Sequence, residues 1–215
     1  MERQSPRRRW LKYGLSGALI AIGLVTGLKS YIGRFDGNIR VVDPGKVYRS
    51  AQLTGSGLAD CLTSRHIRSV VNLQGPRTED AALQGERVLC RGLGIQHVDI
   101  GLEADQLPRP AEMRKLLDAL DSLPRPLLMH CRAGSDRSGL ASAVYLVVYR
   151  GVPLDQAQSS QLTWRYGHWS FWRARAMDEF LDLYRETGRG VSLRAWIEDD
   201  YPRVYAKQER ARTTR

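Results

Sequence analysis

Apolar runs of two different periods take turns along the chain. The stretches "KVYRS" (46–50), "IRSVVNLQ" (67–74), "IQHVDI" (95–100) and "LLMH" (127–130) are short, β-branched, alternating or wholly apolar. Turn formers such as Gly75-Pro76, Pro124 and Pro126 bound them, so they predict strands. Helical spacing fills the intervals. One helix runs from Thr54, a capping residue type, to about His66, and a second covers 79–92, ended by Gly92 and Gly94. A third, "AEMRKLLDALDSL", follows Pro108 and Pro110, and a fourth covers 138–150. Further helices are expected at 154–164, 170–187 and 192–200. Strands alternating with helices predict an α/β fold with a central, mostly parallel sheet flanked by helices.

The first thirty residues follow a different pattern. Arg7, Arg8, Arg9 and Lys12 precede the uncharged stretch "YGLSGALIAIGLVTGL" (13–28). A basic region followed by an apolar run is the pattern of a signal or membrane anchor. As a helix these residues span about 24 Å, short of a hydrocarbon core of about 30 Å. Lys29 can snorkel, and Tyr31 and Ile32 can extend the span. The block "RRRWLK" also resembles a twin-arginine export signal. No small-x-small cleavage site follows, which favours an uncleaved anchor. The basic end then stays in the cytoplasm, and in a bacterial cell the domain faces the periplasmic side of the inner membrane. The expected organisation is 1–29 basic region and anchor, 30–45 linker with an Asp43-Pro44-Gly45 turn, 46–200 main folded domain and 201–215 basic tail.

The formal net charge is +10. Residues 1–12 hold +4 of it and residues 203–215 another +4, so the body is nearly neutral. Basic tails of this kind point to topology or anionic lipid rather than to a nucleic-acid groove, and no nucleic-acid partner is expected. The three cysteines, Cys61, Cys90 and Cys131, fit no zinc spacing and are too few for a disulfide scaffold. His66, His97 and His168 are scattered singly, so neither a metal site nor a cofactor is expected.

The informative stretch is "MHCRAGSDRSGLASAVYLVV" (129–148). A strand ends at Cys131, a short polar loop follows, and Ser138-Gly139 is expected to open a helix. Ligands in α/β sheets bind at the carboxyl ends of strands, near helix N-termini. Backbone amides of Arg132, Ala133, Gly134, Ser135, Asp136 and Arg137 can cradle a dianion there. The helix dipole lowers the thiol pKa, and the Arg137 guanidinium can grip two phosphate oxygens. A buried cysteine beside an ordinary turn is the plainer alternative.

"HCRAGSDRSG" resembles the His-Cys-x5-Arg-Ser/Thr-Gly signature of cysteine-dependent tyrosine and dual-specificity phosphatases. The resemblance covers roughly 40–185, and "KVYRSAQ", "IRSVVNLQG" and "RYGHW" resemble bacterial, membrane-associated members. It implies that Cys131 attacks phosphorus and becomes a phosphocysteine. Loop amides and Arg137 would hold the phosphoryl oxygens, Ser138 would help the sulfur leave, and His130 would orient the loop. The substrate implied is a phosphoprotein, with a phospholipid or inositol phosphate as the alternative. A non-catalytic phosphate-binding module and a sulfurtransferase are further alternatives.

The leaving oxygen needs a proton. Asp99, Glu103 and Asp105 lie at the usual distance before Cys131, and Asp105 sits in the loop-like "EADQLPRP". Asp136, inside the signature, resembles the acid of some lipid-active relatives, and its other role would be to brace the loop. Asp136 ranks first and Asp105 second. The aromatic segment "TWRYGHWSFWR" (163–173) is either a corner between helices or a substrate or lipid rim.

Overall fold

The computed structural model describes residues 22–25, 27, 37–170 and 174–213. Four parallel strands form the centre: β2 (Val47–Ala51), β3 (Ser69–Asn72), β4 (Gln96–Asp99) and β5 (Leu127–Cys131). The strand β1 (Arg40–Asp43) adds antiparallel to β2, giving the order β1-β2-β5-β3-β4. β1 falls where a linker was expected. Its only apolar residues are the adjacent pair Val41 and Val42, too short a run to show a period, and pairing with β2 decides the conformation.

The helices are α1 (Gly55–Ser64), α2 (Ala81–Gly92), α3 (Pro110–Ser122), α4 (Asp136–Arg150), α5 (Leu154–Gln161) and α6 (Arg175–Thr187). A short α7 (Leu193–Ala195) continues through a wide π-type turn at Trp196–Asp200 into α8 (Tyr201–Thr213). Thr54 stands at the start of α1, but its side chain makes no capping bond. Asp80 does cap α2, accepting from the amides of Ala82 and Leu83.

β5 lies in the middle of the sheet and is buried along its whole length. Successive strand residues face opposite sides. Leu127, Met129 and Cys131 join the large core with α3, α4 and α6, while Leu128 joins a smaller cluster with Leu58, Cys61, Leu62 and Cys90. Cys61 and Cys90 are therefore small core residues across the sheet from Cys131, and all three thiols are free.

α8 occupies most of the expected basic tail. Tyr201 is fully buried, with its ring 4.8 Å from Phe180 and 4.9 Å from Trp196. Arg212 pairs with Glu179 at 3.0 Å. Aromatic packing at the first turn turns a charge-rich segment into a helix of the domain.

The expected anchor lies mostly outside the described residues. Among the described residues no helix is long and apolar enough to cross a membrane.

Candidate active site

Cys131 ends the central strand, paired in register with Ala51 of β2, and α4 begins five residues later. That helix starts at Asp136, two residues before the expected position, so Asp136, Arg137 and Ser138 form its first turn. The Cys131 sulfur lies 3.5 Å from Ser138 Oγ and also accepts from the Ser138 backbone N–H.

Donors outside the loop set its shape. Gln52 N–H donates to the Arg132 carbonyl at 3.4 Å. Asn38 Nδ2 donates to the carbonyls of Ala133 and Gly134, at 3.1 and 2.9 Å. Arg49 Nη2 donates to those of Gly134 and Ser135, both at 2.8 Å. In a planar trans peptide the N–H of the next residue points the opposite way. With four carbonyls drawn outward, the amides of Ala133, Gly134, Ser135 and Asp136 face inward. Gly134 is required here, because its φ is +67° and a Cβ would lie 2.4 Å from the Ala51 nitrogen.

Arg49 is a fully buried cation. Nη1 donates to the Gln161 carbonyl at 2.7 Å, and the guanidinium lies over the Tyr166 ring, 5.1 Å from its centroid. Burial pulls its pKa down to about 10, against the favourable field of Cys131. Asn38, also fully buried, makes a third bond, to the Tyr166 carbonyl at 2.9 Å. Neither residue stood out as functional in the sequence. Arg49 does lie within "KVYRSAQ", whereas Asn38 falls in the expected linker.

Burial acts oppositely on the three thiols once their neighbours are counted. It pushes Cys90 up to about 12 and raises Cys61. At Cys131 the same upward push is outweighed by the Arg137 guanidinium and the two Ser138 donors, and the thiol pKa falls. Arg137 is nearly buried, and its Nη1 donates to the Leu102 carbonyl at 3.2 Å.

That bond ties the loop after β4 to the first turn of α4. Leu102 and Leu107 are buried on either side of an exposed bend that carries Asp105. The following Pro108 carbonyl accepts from Tyr201 Oη at 2.6 Å, so α8 supports the base of this bend. Asp99 faces elsewhere, held by Asn72 at 2.7 Å and by Arg87 at 3.1 Å.

Asp136 is already engaged. Its Oδ1 lies 2.9 Å from His168 Nδ1, and His168 Nε2 lies 2.8 Å from Asp178 of α6. Burial opposes the imidazolium, but the two carboxylates outweigh it and raise the pKa to about 9. His168 thus joins two elements as a cation, although in the sequence it looks isolated. His130 faces the other side of the sheet, 2.9 Å from the buried Glu86, which also meets His97 at 2.7 Å.

The model of the "Swiss Army Knife protein, DSP-PTPase phosphatase domain" matches residues 37–178. Among solved structures, the core catalytic domain of the PP-IP phosphatase SIW14 from S. cerevisiae, in complex with citrate, is similar with a TM-score of 0.56 and 19% identity. That match covers 80% of this chain and 93% of the other. TpbA of P. aeruginosa in complex with pTyr is similar with a TM-score of 0.51 and 21% identity, covering 77% and 96%. No curated protein sequence matches the chain.

Proposed function

The chain belongs to the DSP-PTPase phosphatase domains of the Swiss Army Knife group, and we propose that its cysteine-based phosphatase chemistry runs through Cys131, with Asp105 as the acid and Asp136 as a brace. The observation that carries this reading is the thiol of lowered pKa, set among inward amides and beside Arg137. Cys131 Sγ attacks phosphorus, the P–O bond to the leaving group breaks, and a phosphocysteine forms. The amides of Ala133 to Asp136 and the Arg137 fork stabilise the charge on the equatorial oxygens. Asp105, having given its proton to the leaving oxygen, takes one from a water that attacks phosphorus; the S–P bond breaks and the Ser138 donors stabilise the departing thiolate.

Asp105 suits the acid because it sits on an exposed bend joined to Arg137 through Leu102. The bond from His168 supports a bracing role for Asp136, which ranks first as the acid on the sequence alone.

A phosphoprotein and a small polar phosphate ester share this chemistry. TpbA is captured with pTyr, which suits the first, while a polar cleft lined by Arg132 and Arg77 favours the second. The basic, apolar N-terminus supports attachment of residues 1–29 to a bacterial inner membrane, with the domain on the periplasmic side. Deleting 1–29 should release the protein from the membrane fraction, and continued sedimentation with membranes would refute the anchor.

Cys131→Ser should retain the fold, shown by an unchanged far-ultraviolet spectrum, and lose turnover of p-nitrophenyl phosphate. Acid quench of the wild type during turnover should trap phosphate on the Cys131 peptide. Full activity in the variant would refute this chemistry.

A further inference from the structure

A cleft of about 390 Å³ opens beside the phosphate loop, lined by Gln52, Thr54, Gln74, Arg77, Asp80, Ala82 and Arg132. We infer that this cleft is a subsite for a second anionic group, so that the preferred substrate is a small polar molecule carrying another phosphate besides the one hydrolysed. The inference rests on the phosphatase reading above and adds the substrate class.

Three observations carry it. The first is position. Arg132 follows the nucleophile directly, and Gln52 follows Ala51, the register partner of Cys131. The bond from Gln52 N–H to the Arg132 carbonyl joins the cleft wall to the phosphate loop.

The second is charge. Arg77 and Arg132 are both exposed and face one cleft. Two guanidinium forks can grip a second phosphate as Arg137 grips the first. The one carboxylate in the lining, Asp80, has its Oδ1 committed to the amides of Ala82 and Leu83. The walls are held in place, since Gln74 Nε2 donates to Gln52 Oε1 at 3.1 Å and Arg77 Nε donates to the Gln74 carbonyl at 3.3 Å.

The third is polarity. A cleft shaped for a phosphotyrosyl ring would need apolar walls to bury it, yet Ala82 is the only apolar residue in this lining. A hydroxylated scaffold with two phosphates matches donors and acceptors at every wall. Such a group occurs on soluble polyphosphates and on phospholipid headgroups alike.

The test uses the full chain in detergent. Wild type and Arg77→Gln are assayed on p-nitrophenyl phosphate, on a panel of myo-inositol bisphosphate isomers, and on the matched inositol monophosphates. A vesicle arm, with the chain reconstituted and the detergent removed, presents phosphatidylinositol 4-phosphate or phosphatidylglycerophosphate in phosphatidylcholine, with phosphatidic acid as the matched monophosphate. In the wild type, at least one bis-anionic substrate should exceed its matched monophosphate by about tenfold or more in kcat/KM. Arg77→Gln should remove that preference, read as the ratio. Preference among soluble isomers identifies a soluble source, and preference confined to vesicles identifies a lipid headgroup; either supports the subsite. A wild type that turns over p-nitrophenyl phosphate with no bis-anionic preference overturns the subsite alone, as does a preference that survives Arg77→Gln. A wild type inert towards every phosphate ester overturns the phosphatase reading itself.

Discussion

Asp136 Oδ1 and His168 Nδ1 lie 2.9 Å apart, and through that bond the first turn of α4 is fastened to α6 by way of Asp178. The imidazolium has its pKa raised to about 9 from an ordinary 6.5. A raised folded value means that the pairing stabilises fully below 6.5 and is lost as pH rises through about 9. The melting temperature of His168→Gln should therefore fall furthest below wild type under pH 6.5, and the gap should narrow above about pH 9. A gap independent of pH would mean that His168 acts by packing alone.

Leaving-group dependence separates the two carboxylates. Loss of the acid harms poor leaving groups most, because only these need the proton. Asp105→Asn should lower kcat on an alkyl phosphate by about 10²–10⁴-fold, with a much smaller loss on p-nitrophenyl phosphate, and should remove the basic limb of the pH profile. Asp136→Asn should slow both substrates alike and keep that limb. The reverse pattern would return the acid role to Asp136.

The lowered Cys131 pKa is read by alkylation. Inactivation by iodoacetamide follows the thiolate, so its midpoint should lie below the ordinary 9.0 of a thiol. Arg137→Ala removes the largest stabilising charge on the sulfur and should move that midpoint upward. An unmoved midpoint would assign the shift to the helix terminus and Ser138 alone.

Arg49 tests whether the loop after Cys131 is shaped from outside. Arg49→Met leaves the carbonyls of Gly134, Ser135 and Gln161 without this donor. Urea unfolding should show a loss of about 2–4 kcal/mol, and inhibition by inorganic phosphate should weaken as the inward amides lose their alignment. Stability and phosphate affinity close to wild type would refute that role.

Some of this molecule was decided locally. The alternation of short apolar runs with helical spacing dictates an α/β sheet, because each element must bury one face. Cys131, Arg132 to Arg137 and Ser138 are contiguous, so a strand end and a helix start suffice to bring thiol, amides and guanidinium together. That is why the signature was legible in the sequence. The braces were not. Asn38 reaches the loop from 95 residues away, Glu86 reaches His130 from 44, and His168 reaches Asp136 from 32. An Asn in a linker-like stretch, a Glu on a helix and a lone His look like surface residues until packing excludes water around them. The same holds for α8, whose charges hide a buried Tyr201, and for Arg77, which meets Arg132 across one cleft only after the chain has folded. Neighbours along the chain suffice to place Cys131, Arg137 and Ser138 in one turn between a strand and a helix. Contacts made across the fold settle which distant donors shape that turn, what Asp136 is bound to, and that Arg77 and Arg132 line one cleft.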